Sequence, residues 1–178
     1  GFCLVGSEMC IRDRIGTLQP ISKISEVCRE QNVLLHTDAA QSVGKVSTQV
    51  DEIGVDLMTI AGHKVYAPKG VGALYVRTGV SLDPVLYGAG HERGLRPGTE
   101  NVPSIVGLGK AMKLAHRSLE ESSERLGDLR DRLSDRLLAG LGTQALIHGE
   151  QASRLPGTLS LVFPGVRATD LLSRVPEI

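Results

Sequence analysis

Two short apolar runs organise the first half of the chain. The first, at residues 33–35, leads into polar residues that include Asp38, and the second, at residues 57–60, leads into His63 and Lys64. Short apolar runs bounded by polar and glycine residues are typical of strands in a parallel sheet, with the intervening segment as the crossover. The pattern therefore predicts two parallel, core-buried strands, each of which ends in polar side chains.

The rest of the hydrophobic pattern predicts helices and further strands around this pair. Apolar residues at helical spacing predict a helix at residues 21–30, and a turn rich in proline and glycine precedes a predicted third strand at residues 73–76. From Ser104, apolar residues recur every three or four positions as far as Leu137, which predicts a long amphipathic helix with a break near Gly127. The other predicted features are an end to the crossover at Gly54, an end to the long helix at residues 140–142, strands at residues 145–148 and 158–163, and a helix that starts at Asp170.

These elements predict an α/β fold in two parts, residues 15–103 and residues 104–178. Lys and Arg together number 20, as do Asp and Glu, so the net charge of the 178-residue chain is zero. A chain without net charge has no general attraction to nucleic acid or to an anionic membrane. The sequence also contains no run of eighteen apolar residues, so it predicts no transmembrane helix.

Four polar residues at the predicted strand ends are candidates for a binding or catalytic site: Asp38, Gln41, His63 and Lys64. Ligands of open α/β sheets bind at the carboxyl ends of the strands, so these side chains are expected to converge although they are distant in sequence. A lysine amine beside a second cationic group can act as a nucleophile, and a glutamine amide can both donate and accept hydrogen bonds. The alternative is that these are solvated residues on loops, where Asp and Lys are usually found.

A glycine-rich stretch at residues 88–101, GAGHERGLRPGTEN, is dense in polar side chains and poor in apolar ones. Its glycine spacing differs from a dinucleotide-binding fingerprint, and no strand and helix flank it. A plain surface loop would explain the glycines, whereas the density of polar residues favours a site or a subunit contact. The polar residues concerned are His91, Glu92, Arg93, Arg96, Thr99 and Glu100.

Three segments together carry a family resemblance: HTDAAQ, GHKVYAPKGVGALYV and GAGHERGLRPGTENV. Across residues 15–163 the chain resembles the class V aminotransferase fold family, and within it the cysteine desulfurase and selenocysteine lyase branch. The resemblance implies a fold-type I enzyme that depends on pyridoxal 5'-phosphate. The chain would hold part of its large parallel-sheet domain and part of its smaller C-terminal α/β domain.

The resemblance also implies roles for individual residues. Lys64 would form the Schiff base with the cofactor, Asp38 would pair with the pyridine nitrogen, and Gln41 would hydrogen-bond the ring oxygen. His63 would reach the cofactor phosphate. Thr99 would bind the phosphate of the neighbouring subunit, which would make the active unit a homodimer.

The activity implied by the resemblance is removal of sulfur from L-cysteine to leave L-alanine, with a cysteine thiolate taking the sulfur as a persulfide for a sulfur-acceptor protein, as in iron–sulfur cluster assembly. L-selenocysteine is the alternative substrate, because Ala61 stands where many desulfurases carry a phosphate-binding serine that selenocysteine lyases also lack. An aminotransferase or a kynureninase-like enzyme of the same fold would use Lys64 and Asp38 in the same way without a thiolate. A non-catalytic dimerisation module is the alternative outside the enzymes.

The two ends of the chain depart from the family pattern. Residues 1–14 have no counterpart in the family and are expected to be an unrelated leader, which leaves Cys28 as the cysteine of interest. Cys28 is expected to be a buried thiol in a reducing compartment, the cytoplasm or an organelle. The segments with the family's phosphate loop and its catalytic cysteine find no match here, so we expect an internal fragment of a longer enzyme.

Overall fold

A computed structural model of the chain describes residues 14–175, apart from the side chain of Thr143. The described residues form two compact units, Pro20–Glu120 and a second unit of residues 14–19 with residues 121–175. The sequence placed the division between residues 103 and 104, one helix earlier. The predicted leader at residues 1–14 lies outside the described residues except for its last position.

The first unit is built on a three-stranded sheet of β1 (His36–Asp38), β2 (Leu57–Ala61) and β3 (Gly72–Val76), in that order. β1 and β2 are parallel, with Asp38 opposite Thr59, which confirms the predicted parallel pair. β3 lies within one residue of its predicted position and runs antiparallel to β2, so the described sheet is mixed. Because β1 and β2 run in the same direction, their carboxyl ends lie at one edge of the sheet.

The prediction that residues 33–35 form a core-buried strand is wrong. Val33 and Leu34 are 42% and 55% exposed, and pairing with β2 begins only at His36. The left-handed backbone of Asn32 (φ 53°) turns the chain after the first helix, and the Val33 N–H then donates to the Cys28 carbonyl. These two residues therefore belong to the turn that leads into the strand, not to the strand itself.

Three helices accompany this sheet: α1 (Ile21–Glu30), α2 (Val50–Ile53) and α3 (Val102–Arg117). The bounds of α1 match the prediction, and Gly54 ends the crossover in a left-handed conformation as expected. The crossover contains little helix, because α2 has only four residues. The buried core draws on the sheet, the crossover and α3 through Ala39, Val43, Val55, Met58, Val65, Ala67, Leu108 and Ala111.

Two of those core residues, Leu108 and Ala111, explain why α3 belongs to the first unit. Burial of its apolar side chains holds α3 in that core, so the division falls after the helix and not at Ser104.

The predicted break in the long helix near Gly127 is wrong. The break lies at Ser118, because α3 ends at Arg117 and the next helix begins at Leu119. The Ser118 hydroxyl donates to the Leu114 carbonyl at 3.1 Å, an internal bond that competes with helix continuation.

The second unit contains all but the first two residues of α4 (Leu119–Leu141), the two-stranded antiparallel sheet of β4 (Leu146–Ile147) and β5 (Leu161–Val162), and α5 (Ala168–Ser173). These elements lie where the sequence predicted them, with shorter strands and an α5 that starts two residues early. Leu155 is almost fully buried, and its N–H donates to the Gly16 carbonyl at 2.7 Å. In the part of the chain described, no helix is long and apolar enough to cross a membrane.

Candidate functional site

Asp38 is the last residue of β1 and lies at the carboxyl edge of the sheet. Its side chain is half-buried, and its Oδ1 atom accepts a hydrogen bond of 2.8 Å from the Ala40 N–H. The next residue continues the strand pairing, because the Ala39 N–H donates to the Thr59 carbonyl at 3.0 Å. A backbone N–H therefore holds the Asp38 carboxylate, and strand pairing holds the backbone beside it.

The face of the sheet that carries Asp38 holds two further polar side chains. Alternate strand residues share a face, so His36 lies with Asp38, and Thr59 is opposite Asp38 on β2. Nε2 of His36 and Oγ1 of Thr59 are 2.8 Å apart, within hydrogen-bonding distance. The sequence analysis missed this pair, although the period-two alternation of HTD would have placed His36 beside Asp38. Thr37 points to the opposite face and is buried.

Gln41 lies on a single helical turn that follows Asp38. Ala39 and Val43 anchor this turn in the core, and the Val43 N–H donates to the Ala39 carbonyl at 3.0 Å. Gln41 is half-buried, and its Oε1 atom accepts a hydrogen bond of 2.8 Å from Nζ of Lys45. The sequence assigned no role to Lys45, although its position four residues after Gln41 placed both on one side of such a turn.

His63 and Lys64 lie on a short 3₁₀ turn, Gly62–Val65, directly after β2. Both side chains are exposed, whereas Gly62 and Val65 at the ends of the turn are buried. A Cβ atom on Gly62 would lie 2.5 Å from the Val71 carbonyl oxygen, so only glycine fits there. The buried ends of the turn hold its backbone in place while the two basic side chains project from the carboxyl edge of the sheet.

Thr99 lies in the glycine-rich loop, and its side chain is exposed. It makes no hydrogen bond to another side chain in the described part of the chain, so its predicted role stays a prediction. The loop is irregular, with left-handed backbone at Glu92 (φ 48°) and Arg93 (φ 58°), a conformation that is uncommon outside glycine. Nδ1 of His91 is buried there without a hydrogen-bond partner among the described residues.

An open cavity of about 850 Å³ lies along β3 and the loop that carries Arg93 and Arg96. Glu92, Arg93 and Arg96 of the glycine-rich loop line it, whereas Asp38, Gln41, His63, Lys64 and Thr99 do not. In the described sheet β3 pairs on one side only, with β2, so this cavity is the open flank of an outer strand. The chemistry-bearing side chains lie elsewhere, at the ends of β1 and β2.

Cys28, predicted to be buried, is half-buried on α1. The structure places Asp38 at the end of β1 with Gln41 on the turn that follows, and His63 and Lys64 on the turn directly after β2. The convergence of the four side chains on one pocket stays a prediction. The individual roles of these residues stay predictions.

Comparison with known proteins identifies the family of the chain. The family model described as aminotransferase class-V matches residues 7–177. The chain is 41% identical to a cysteine desulfurase IscS of Ehrlichia chaffeensis over 97% of its own length and 42% of that protein, and 44% identical to a cysteine desulfurase IscS of Methanosarcina thermophila over 93% of its own length and 41% of that protein. A solved structure of a NifS-like protein is 38% identical, with a TM-score of 0.84 over 93% of this chain and 45% of that one.

The chain therefore spans less than half the length of these relatives. The family match nevertheless covers nearly all of it and begins at residue 7, inside the segment expected to be an unrelated leader. The chain belongs to the class-V aminotransferase family.

Proposed function

We propose that this chain supplies the cofactor-binding centre of a cysteine desulfurase that depends on pyridoxal 5'-phosphate. The observation that carries the proposal is the parallel pairing of β1 with β2, which places the Asp38 carboxylate and the turn bearing Lys64 at one edge of the sheet. The relatives named as cysteine desulfurases support the activity. L-Cysteine is the proposed substrate, and L-alanine and a transferable sulfur atom are the proposed products.

The side chains at this edge fit the chemical groups of the cofactor. The ring nitrogen calls for a carboxylate, which Asp38 provides from a half-buried position on a rigid strand end. The Gln41 amide is a neutral group that can hydrogen-bond the ring oxygen. The Lys64 side chain is a primary amine, the group that reacts with the aldehyde carbon. The imidazole of His63 can donate a hydrogen bond to a phosphate oxygen. When bound, the cofactor withdraws electrons from bonds to the substrate α-carbon.

Each of these residues has a proposed task. The Asp38 carboxylate would keep a proton on the ring nitrogen, and Gln41 would orient the ring through its oxygen. The Lys64 amine would hold the cofactor, and Nζ of Lys64 would carry protons to and from the substrate carbon. An exposed lysine on a well-anchored turn suits this task, because the side chain is free to move while its backbone stays fixed.

The thiolate that accepts sulfur is expected outside the described residues. Cys28 is the cysteine that the structure describes, and it is half-buried on the outer helix α1. A sulfur-acceptor protein and a part in iron–sulfur cluster assembly are proposed from the family resemblance described in the sequence analysis. The compartment predicted from the cysteines stays a prediction.

We also propose a homodimer in which Thr99 reaches the cofactor phosphate of the partner subunit. Val85, Leu86 and Tyr87 are 90%, 63% and 84% exposed, and a contiguous apolar run of this kind is typical of a surface that another protein covers. This run leads into the loop that carries Thr99. The subunit contact and the proposed phosphate contact therefore lie in one segment.

The proposal is tested by trapping the cofactor on the full-length protein. Borohydride reduction in the presence of pyridoxal 5'-phosphate, followed by peptide mapping, is expected to place the adduct on Lys64. Lys64→Ala is expected to lose the adduct and to lower alanine formation from L-cysteine by at least about a hundredfold, because Nζ carries the proton. Lys69→Ala removes a nearby exposed lysine and serves as the matched control.

An adduct on another lysine, or full activity of Lys64→Ala, would contradict the assignment. L-Selenocysteine is the second candidate substrate, favoured by Ala61 at the end of β2. Rates of alanine formation from the two amino acids, measured on the same protein, decide between sulfur and selenium.

A further inference from the structure

Lys45 is a charged side chain next to the candidate site without an assigned role. Its Nζ atom donates a hydrogen bond of 2.8 Å to Oε1 of Gln41, and both residues are half-buried. They lie four positions apart on one helical turn, whose opposite side is held in the core by Ala39 and Val43, 3% and 4% exposed. The pair is thus part of an anchored turn and not a chance contact between two solvated side chains.

The sequence around Lys45 preserves this turn. Gly44 has a left-handed backbone (φ 74°), and a Cβ atom on it would lie 3.1 Å from Cβ of Ala115 and 3.2 Å from Cγ1 of Val65. Glycine therefore permits both the backbone conformation and the close packing at this position. The backbone can therefore turn so that Nζ of Lys45 lies within hydrogen-bonding distance of Gln41.

The chemistry of the pair fixes the orientation of the glutamine. An ammonium group has only hydrogen-bond donors, whereas an amide has an acceptor oxygen at one end and a donor nitrogen at the other. While Nζ of Lys45 donates, the oxygen of Gln41 must face Lys45, and Nε2 must point the other way. Without that donor, the two amide orientations differ little in shape and are exchanged by a rotation of 180°.

We propose that Lys45 is a positioning residue that orients Gln41, so that the amide N–H group and not the amide carbonyl is presented to the ring oxygen of bound pyridoxal 5'-phosphate. This inference rests on the proposed function. An N–H donor favours the deprotonated ring oxygen, whereas a carbonyl facing the same oxygen disfavours it. Lys45 therefore acts on the cofactor through Gln41.

The test is a pH titration of the visible absorption of the cofactor bound to the full-length protein. Lys45→Met is expected to raise the midpoint of this absorption change by about one pH unit, because the deprotonated ring oxygen loses a correctly directed hydrogen bond. The same loss is expected to weaken cofactor binding about tenfold. Lys45→Arg keeps a donor-only cation and is expected to restore both values. The titratable residues at this edge, His36, Asp38, His63 and Lys64, are unchanged in these variants. Lys23→Met removes the same charge from the exposed face of α1 as a control.

A double-mutant cycle separates orientation of the amide from a direct effect of the lysine charge. If Lys45 acts through Gln41, Lys45→Met causes no further shift in a Gln41→Met background. An equal shift in both backgrounds, or no shift in the wild-type background, overturns the inference. A parent protein that binds no pyridoxal 5'-phosphate refutes the proposed function instead. If Lys45→Met does not fold, Lys45→Gln replaces it with the same expected direction, because a neutral amide can also accept and no longer fixes Gln41.

Discussion

The two edges of the three-stranded sheet carry polar residues of the same types and use them differently. At the edge where β1 and β2 begin, Arg77 donates to the Val55 carbonyl at 2.9 Å, to the Val50 carbonyl at 3.1 Å and to Asp51 at 3.0 Å. Oδ2 of Asp56 accepts from the Leu35 N–H at 2.9 Å. At the edge where β1 and β2 end, the two basic side chains of the 3₁₀ turn are exposed to solvent.

The difference separates charges whose hydrogen bonds hold the fold from exposed charges that, in the proposed function, contact the cofactor. Arg77 joins the end of β3 to α2 and to the start of β2, so its donors are used within the protein. The pKa of Arg77 is raised, mainly by its hydrogen bond to Asp51. At the other edge the backbone is held by buried residues, Gly62 and Val65, and the side chains between them stay exposed to solvent. Substitutions at the two edges are therefore expected to affect different properties.

The largest effect within this comparison is expected for Asp38→Asn, at the carboxyl edge. Alanine formation should fall about 10²- to 10³-fold, because a neutral amide no longer stabilises the charge on the facing ring nitrogen. The free energy of unfolding should change by less than about 1 kcal/mol, since an asparagine oxygen can still accept from the Ala40 N–H. Steady-state kinetics and urea denaturation measure the two quantities.

Asp128→Asn, on the exposed face of α4, is the matched control for charge removal. Unchanged alanine formation in Asp38→Asn would assign Asp38 to the fold and remove the distinction between the two edges.

Gly62→Ala should have a smaller effect, and on both properties. The added Cβ atom would meet the Val71 carbonyl oxygen at 2.5 Å, so the turn must shift, at a cost of about 1–3 kcal/mol in unfolding free energy. The displaced turn should also bind pyridoxal 5'-phosphate more weakly, as equilibrium dialysis would measure. Gly127→Ala is the control, because no atom lies within 4 Å of its added Cβ and alanine favours helix. Equal stability of both variants would show that the turn tolerates a side chain.

The sequence predicted the carboxyl edge better than the opposite one. The apolar runs before Asp38 and before the turn with Lys64 were enough to predict two parallel strands followed by these polar groups, although the first strand begins only at His36. Arg77 could not be found in this way, since its partners lie 22 to 27 positions away and only the folded chain brings them together. The exposure of Val33 and Leu34 was missed because three apolar residues in a row do not reveal where strand pairing begins.

Arg77→Lys and Arg77→Met test the edge where β1 and β2 begin, and they should have the smallest effect on activity. Lysine keeps the positive charge near Asp51 but cannot reproduce the fork that reaches two carbonyls, so it should lower the urea midpoint less than methionine does. Because the pKa of Arg77 is raised above its ordinary, already high value, mainly by the hydrogen bond to Asp51, the guanidinium is charged in both the folded and the unfolded state at neutral pH. Its contribution to stability is therefore fully present at neutral pH and is lost only as the pH rises through the raised pKa. Because Arg77 does not change its charge between about pH 6 and about pH 9, its contribution to the stability difference between wild type and Arg77→Met should be constant over that range.

Alanine formation by the folded fraction of these variants should stay within about twofold of wild type. A large loss of alanine formation without a change in urea midpoint would show that Arg77 belongs to the chemistry and not to the fold.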